Sequence, residues 1–264
     1  MSNPHTPHND LCRYFAARQR AYLINMSEER DRELYESMSG TIVRCGGNSI
    51  TLQVPYATGQ ELPDNPIQKT MYKLTSESMG SGIQIMAELA KITAGNIFHL
   101  KLHGNLEMYQ RRQSPRVDAT IKLFQIRRDT SLAAYRKEFK RIVDSMNTQG
   151  MRPNLKLLET PINLSAGGLR IEIDAQEPIA PLSMFFLDFD SGKPIVCVVA
   201  EMAWKRHENN SLICGYRFLQ IHKADQDRIK QFVQSVLRDQ GVTVPASKHH
   251  WELLDRMIYA EPDK

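Results

Sequence analysis

Alternating apolar and polar residues in the first half of the chain predict a small β-rich domain. Residues 41–56 place β-branched residues on both sides of Gly46-Gly47-Asn48, and this arrangement is a strong hairpin signal. Further strand-like runs follow at residues 71–74, 82–92 and 96–103. The preceding residues 9–38 are rich in charge, and their apolar residues recur at mixed helical spacing. That spacing predicts one or two short helices before the strands.

The second half of the chain combines strands with a helix near its start. Residues 117–126 alternate as a strand, and residues 130–146 follow with their large apolar side chains on one helical face. Strands resume at residues 169–173, 183–189, 194–206 and 212–221. Asp225 is a candidate N-cap for a helix that runs to about Asp239 and carries an apolar stripe. A last amphipathic segment contains Trp251, Leu254, Met257 and Ile258.

These elements predict a mainly β fold with two β-barrel domains, because several short strands in succession favour a barrel or a sandwich. Residues 107–116 carry no periodic apolar pattern and predict a linker between the domains. We therefore place an N-terminal domain at residues 1–108 and a second domain, with an inserted helix and C-terminal helices, at residues 109–264. A chain of 264 residues is long enough for two domains that each bury a core.

Composition favours a soluble cytoplasmic protein. Hydrophobic residues make up 41% and charged residues 24% of the chain, and no stretch reaches the 18 or so apolar residues of a membrane span. The N-terminal residues lack the basic head and apolar run of a secretory signal. The four cysteines are scattered without CxxC pairs, so we expect buried free thiols and neither a zinc site nor a disulfide framework. They are Cys12, Cys45, Cys197 and Cys214.

Charge is unevenly distributed although the net charge is only +4. Between Arg111 and Lys156 there are twelve Lys or Arg residues and four Asp or Glu residues. This excess suits a small anionic ligand or a solvated basic helix, and composition does not choose between them.

Catalytic signatures are missing from the sequence. It contains no GxSxG, HExxH, Walker loop or dinucleotide fingerprint, so we expect a binding protein and not an enzyme. The terminal histidines have no carboxylate or cysteine cluster at ligand spacing, and no metal or cofactor is expected. They are His5, His8, His249 and His250. Trp204, at the end of a strand, is interpreted as structural.

Two short motifs carry the functional signal. The first is Arg111 to Arg116, with the letters RRQSPR, and the second is Asn163 to Gly168, with the letters NLSAGG. Either motif alone is common, but together and in this order they resemble the PilZ family pattern of RxxxR followed by (D/N)xSxxG. The resemblance extends over roughly residues 108 to 240 and implies a six-stranded PilZ-type barrel.

The resemblance implies that the ligand is the bacterial second messenger cyclic di-GMP. Its implied binding residues are Arg111, Arg112, Arg116, Asn163, Ser165 and Gly168. Guanidinium groups can bind guanine acceptors in bidentate fashion, grip phosphate and stack on purines. The Asn163 carbonyl can accept from guanine N–H groups, Ser165 can donate to phosphate, and the glycines allow close approach. An arginine before RxxxR, here Arg111, is associated in this family with an intercalated pair of ligands, and the number bound stays open.

The first half is similar to the β-domain that precedes PilZ in flagellar-brake proteins of the YcgR type. That architecture implies an effector whose domain arrangement changes on binding and which regulates motility, adhesion or exopolysaccharide output through a protein partner. An alternative is a structural adaptor whose PilZ-like barrel binds protein and not nucleotide. DNA is not the expected partner, although RNA or DNA binding by the basic segment remains a third possibility.

Overall fold

The computed structural model describes residues 8–27, 31–59, 70–78, 81–109, 114–149, 155–189, 192–209 and 211–242. These residues form two compact units. The first unit draws its described residues from positions 8–31 and 37–109, and the second draws them from positions 32–36 and 114–242. Within the described ranges, neither long helix has the length and apolar character needed to cross a membrane. The boundary between residues 108 and 109 stays a prediction.

The first unit is a closed ring of antiparallel strands. A 3-10 helix at His8–Arg13 precedes it. The strands are β1 (Arg20–Asn25), β2 (Leu34–Gly46), β3 (Ser49–Gln53), β4 (Met71–Ser78), β5 (Ser81–Thr93) and β6 (Ile97–Tyr109). They lie in the order β1-β4-β5-β6-β3-β2, and pairing of β1 with β2 closes the ring. Alternate residues such as Leu23, Leu52 and Phe98 are buried, as the period of a strand requires. Closure leaves no long unpaired edge in this ring.

Strand prediction in this unit is confirmed except near the N-terminus. The predicted hairpin is the β2–β3 pair, where Gly46 pairs with Ser49 and Gly47 adopts the left-handed φ of 55° that this tight turn requires. The expected helices in residues 9–38 are wrong beyond the 3-10 helix, because residues 20–25 form β1 and β2 begins at Leu34. The predicted linker also begins too early, since β6 continues to Tyr109.

A disulfide joins Cys12 of the 3-10 helix to Cys45 of β2, with their Cα atoms 5.4 Å apart. The expectation that all four cysteines are free is therefore wrong for this pair. The two residues are 33 positions apart, and only the folded ring brings them together. Cys197 and Cys214 are free and buried, as expected.

The second unit is also a closed antiparallel barrel of six strands. They are β7 (Val117–Arg127), β8 (Leu158–Ser165), β9 (Gly168–Asp174), β10 (Leu182–Asp188), β11 (Val196–Glu208) and β12 (Ser211–His222). Their order is β12-β11-β10-β7-β8-β9, and pairing of β12 with β9 closes the barrel. Beyond Gly168, the first residue of β9, β12 continues and pairs with Leu34–Glu36. The predicted mainly β fold with a six-stranded C-terminal barrel is confirmed.

Two helices pack on this barrel. The inserted helix α1 (Leu132–Gln149) lies against β10 and β11 and buries Leu132, Tyr135 and Phe139, which confirms the predicted helical face. Helix α2 (Lys223–Asp239) adds Ile229, Val233 and Leu237 to the barrel core.

Two details of the second unit differ from the sequence prediction. The N-cap of α2 is His222 and not Asp225, whose carboxylate instead accepts from Arg228 at 2.9 Å. Strand β8 was not predicted, because its letters LETPINLS include a proline and show little apolar alternation. The amphipathic segment at residues 251–258 lies outside the described residues.

The disulfide predicts a stability difference between oxidised and reduced protein. Replacing Cys45 by Ala, or reducing the bond, is expected to lower the free energy of unfolding by about 2 to 4 kcal/mol. Without the closed loop, the unfolded chain has more conformational entropy and is favoured. Urea unfolding with and without reductant measures the difference. A Cys197→Ala variant should still respond to reductant, since Cys197 is free. No response to reductant in the wild-type protein would contradict the disulfide.

Gly168 lies where β9 meets β12, and a side chain does not fit there. A Cβ atom at this position would lie 2.2 Å from the Tyr216 carbonyl oxygen. Gly168→Ala is therefore expected to lower the free energy of unfolding by about 1 to 3 kcal/mol, as in other overpacked sites. Gly167→Ala is the matched control, since its Cβ would meet nothing within 4 Å. Equal unfolding midpoints in urea for the two variants would contradict this account.

Candidate functional site

Only part of the predicted arginine motif is within the described residues. Arg116 is exposed and stands directly before β7. Arg111 and Arg112 lie outside the described residues. The structure therefore places one end of this motif at the start of the barrel and leaves the role of the other two arginines a prediction.

Asn163 lies in a row of polar side chains that crosses three neighbouring strands. The register pairs Asn163 of β8 with Asp118 of β7 on one side and with Arg170 of β9 on the other. The Asn163 side chain donates from Nδ2 to Asp118 Oδ1 at 2.9 Å. Arg170 Nη2 donates to the same oxygen at 3.2 Å. The neighbours Ile162, Leu164, Leu169 and Ile171 are buried in the barrel core, so this row faces outward.

Ser165 and Gly168 close the tight turn between β8 and β9. They pair across Ala166 and Gly167, and the Ser165 hydroxyl donates to the Gly168 carbonyl at 3.1 Å. Ser165 is only 5% exposed. In this structure the Ser165 hydroxyl therefore stabilises the turn that follows Asn163.

Two neighbouring elements hold the same turn in place. The Phe218 amide of β12 donates to the Gly167 carbonyl at 3.0 Å, and the Gln226 amide of α2 donates to the Ala166 carbonyl at 3.0 Å. These hydrogen bonds from β12 and α2 restrict the orientation of the two turn carbonyls. The second motif is thus a rigid part of the barrel, as a preorganised binding site requires.

An exposed tryptophan extends the row beyond Arg170. The register pairs Arg170 with Gly215 of β12 and Gly215 with Trp204 of β11. A Cβ at position 215 would lie 2.3 Å from the Trp204 indole, so the ring packs directly on the Gly215 backbone. Trp204 is 43% exposed. The ring therefore rests on the outer face of the barrel and also presents surface to solvent.

An open pocket of about 580 Å³ follows this outer face. Its lining includes Asp118, Asn163, Arg170, Glu172 and Arg206, and the last of these forms an ion pair with Glu208. Cations and anions alternate along the lining, so the pocket offers hydrogen-bond donors and acceptors without a large excess of either charge. Such a surface suits a polar ligand with several hydrogen-bonding edges.

Sequence reasoning missed Asp118, Arg170 and Trp204 as companions of Asn163. Alternation in residues 117–121 and 169–173 indicates that Asp118 and Arg170 face outward. It does not tell which outward residues are neighbours, because that depends on the pairing register. Trp204 was interpreted as structural, and its packing on Gly215 agrees with that, although the residue also stays partly exposed.

The free cysteines of the barrel are not placed as nucleophiles. Burial raises the pKa of the Cys214 thiol and also that of the Cys197 thiol, because a thiolate is disfavoured where water is excluded. Both residues behave as small apolar core residues. Among the described residues, no group of three or more His, Cys, Asp or Glu side chains is arranged to hold a metal ion. The side chains of the terminal histidines lie outside those residues.

Several solved structures resemble this chain at low sequence identity. MotI/DgrA, the inhibitor of motility of Bacillus subtilis, is 12% identical, with 85% of this chain and 99% of that chain covered and a TM-score of 0.35. YcgR from Escherichia coli in complex with c-di-GMP is 12% identical, with 84% and 85% covered and a TM-score of 0.31. MrkH of K. pneumonia in its apo state is 15% identical, with 84% and 89% covered and a TM-score of 0.37.

The family assignment rests on the sequence itself. No curated protein matches this chain. The family model described as PilZ domain matches residues 110–235, a range that contains the described barrel from β7 to β12 and both predicted motifs. Residues 110–235 of the chain are therefore a PilZ domain.

Proposed function

We propose that this chain is a receptor for cyclic di-GMP that acts without catalysis. Binding changes the arrangement of its two domains and so alters a surface for a protein partner in motility, adhesion or exopolysaccharide output. The observation that carries the proposal is the position of Asn163 within the PilZ domain. It stands outward on β8, in a row with Arg170, immediately before a rigid turn.

The chemistry of the ligand matches the groups at this face. Cyclic di-GMP has two guanines, whose Watson–Crick edges donate, and two phosphates, which accept. The Asn163 carbonyl supplies an acceptor, and the guanidinium groups of Arg111, Arg112 and Arg116 supply cations and planar donors. Because the arginine motif precedes β7 directly, and β7 pairs with β8, its last residue enters the barrel beside the strand of Asn163.

Ser165 and Gly168 enter the proposal through the turn that they form. Gly168 allows β9 to approach β12, and Ser165 holds the turn closed. Loss of either residue would move Asn163 and the backbone that a ligand approaches. Arg170 and Trp204 add a cation and an aromatic face to the same row, and both groups stack on purines.

Isothermal titration calorimetry tests the proposal. Wild-type protein is expected to bind cyclic di-GMP tightly, and Arg112→Ala, Arg116→Ala or Asn163→Ala should lower the affinity. The loss should be roughly 10-fold to 100-fold, the range for one hydrogen bond involving a charged group. Arg141→Ala is the control, since this exposed guanidinium on α1 is paired with Glu138 at 2.8 Å. It should bind like the wild type.

Other outcomes of the titration decide between the alternatives. No heat with wild-type protein would overturn the receptor assignment and favour the protein-binding adaptor. Binding of RNA or DNA that weakens steeply as salt rises, with little preference for the cyclic dinucleotide, would favour nucleic-acid recognition by the basic segment.

Partner capture tests the effector role. Wild-type protein and Asn163→Ala are immobilised and exposed to cell extract with and without cyclic di-GMP. We expect a partner whose captured amount changes with cyclic di-GMP on the wild-type protein but not on Asn163→Ala, because only the wild-type protein binds the ligand well enough to change its domain arrangement. A partner held equally by both proteins in both conditions would contradict the effector role.

A further inference from the structure

In the described part of the chain, the Asn163 side chain forms a hydrogen bond with one residue of the neighbouring strand β7, and that residue is Asp118. It belongs to neither sequence motif. Its carboxylate is exposed, so the contact is not forced by burial. Arg170 donates to the same carboxylate oxygen from the other side of Asn163, which holds the three side chains together. The arrangement restricts the Asn163 amide before any ligand arrives.

The chemistry of the contact determines which way the Asn163 amide points. A carboxylate can only accept, and of the two amide branches only Nδ2 can donate. The branch that faces Asp118 is therefore the nitrogen, as the 2.9 Å hydrogen bond requires. The Oδ1 branch is consequently directed away from Asp118. The oxygen and nitrogen branches of a free asparagine can exchange places, and this partner fixes the Oδ1 acceptor on the side away from Asp118.

An oriented acceptor distinguishes guanine from adenine. On the Watson–Crick edge, guanine donates from both N1 and its exocyclic amine, whereas adenine donates from its exocyclic amine but accepts at N1. An amide that can turn over could satisfy either base, since it carries both a donor and an acceptor. An Oδ1 acceptor held in place by Asp118 can accept from either of two adjacent guanine donors, whereas at adenine N1 it would face another acceptor.

We propose that Asp118 is a positioning residue that determines base specificity, by holding Asn163 as an acceptor for the guanine of a cyclic dinucleotide. This inference rests on the proposed function. It also accounts for asparagine at position 163 in this chain, where the family pattern allows aspartate. An aspartate at 163 would face the Asp118 carboxylate directly across β7 and β8, and like charges directly opposite each other are destabilising.

A cycle of four proteins tests the inference: wild type, Asp118→Asn, Asn163→Asp and the double variant. Each is titrated with cyclic di-GMP and with cyclic di-AMP. Asp118→Asn is expected to weaken cyclic di-GMP binding by roughly 3-fold to 10-fold, because the Asn163 amide is then no longer oriented in advance and must be ordered on binding. The same variant should show a smaller ratio between its affinities for cyclic di-GMP and cyclic di-AMP. Asn163→Asp alone should bind poorly. The double variant should recover most of the wild-type affinity, since the amide introduced on β7 can donate to the carboxylate introduced on β8.

Glu159→Gln is the matched control. Glu159 also stands on β8 opposite a β7 residue, Lys122, and the change removes one exposed carboxylate from the same pair of strands. It should leave both affinities unchanged. A purely structural ion pair would move the melting temperature of Asp118→Asn but not its base preference, so the ratio of the two affinities is the deciding measurement.

The results separate the two proposals. Wild-type protein that binds neither dinucleotide overturns the proposed function, and the base-specificity role fails with it. If the wild type binds cyclic di-GMP and Asp118→Asn has the same affinity and base preference, the positioning role is overturned and the receptor function stands. Tight binding by Asn163→Asp alone has the same meaning.

Discussion

The outward direction of Asn163 depends on the register between β8 and β9, and a two-residue turn sets that register. Ser165 pairs with Gly168 across the turn, and its hydroxyl donates to the Gly168 carbonyl. Side chains alternate between the two faces of a strand, so a slip of one residue would turn Asn163 into the apolar core. Hydrogen bonds from β12 and α2 hold the same turn. The position of this candidate binding face is therefore a consequence of main-chain geometry as much as of its side chains.

The same register gives the barrel its two chemistries. Inward residues of β7, β8 and β9 build an apolar core, while their outward neighbours Asp118, Asn163 and Arg170 form a hydrogen-bonded row. Each charge in that row is partnered within the row. This arrangement orients hydrogen-bonding groups without burying a charge, which is appropriate for reversible recognition of a polar ligand. The free thiols lie buried, where they contribute packing and not reactivity.

Elements were predicted correctly where neighbouring residues carry the signal, and they were missed where contacts with distant residues determine the local structure. The β2–β3 hairpin and α1 were predicted from turn residues and from helical periodicity, which operate over a few neighbouring positions. Strand β8 was missed because its pairing with β7 and β9, and not its own composition, makes it a strand. Asp225 is a plausible cap by type, but the chain turns into α2 at His222 directly from β12.

Three features follow from the sequence alone: the strands and helices with strong periodicity, the order of the two motifs, and the family that the motifs indicate. These depend on residues close together along the chain. The folded barrels are needed to bring Asp118 beside Asn163, 45 positions away, and Cys12 to Cys45, 33 positions away. Strand register and barrel closure create such neighbours, and a linear pattern indicates which face a residue occupies but not what lies next to it.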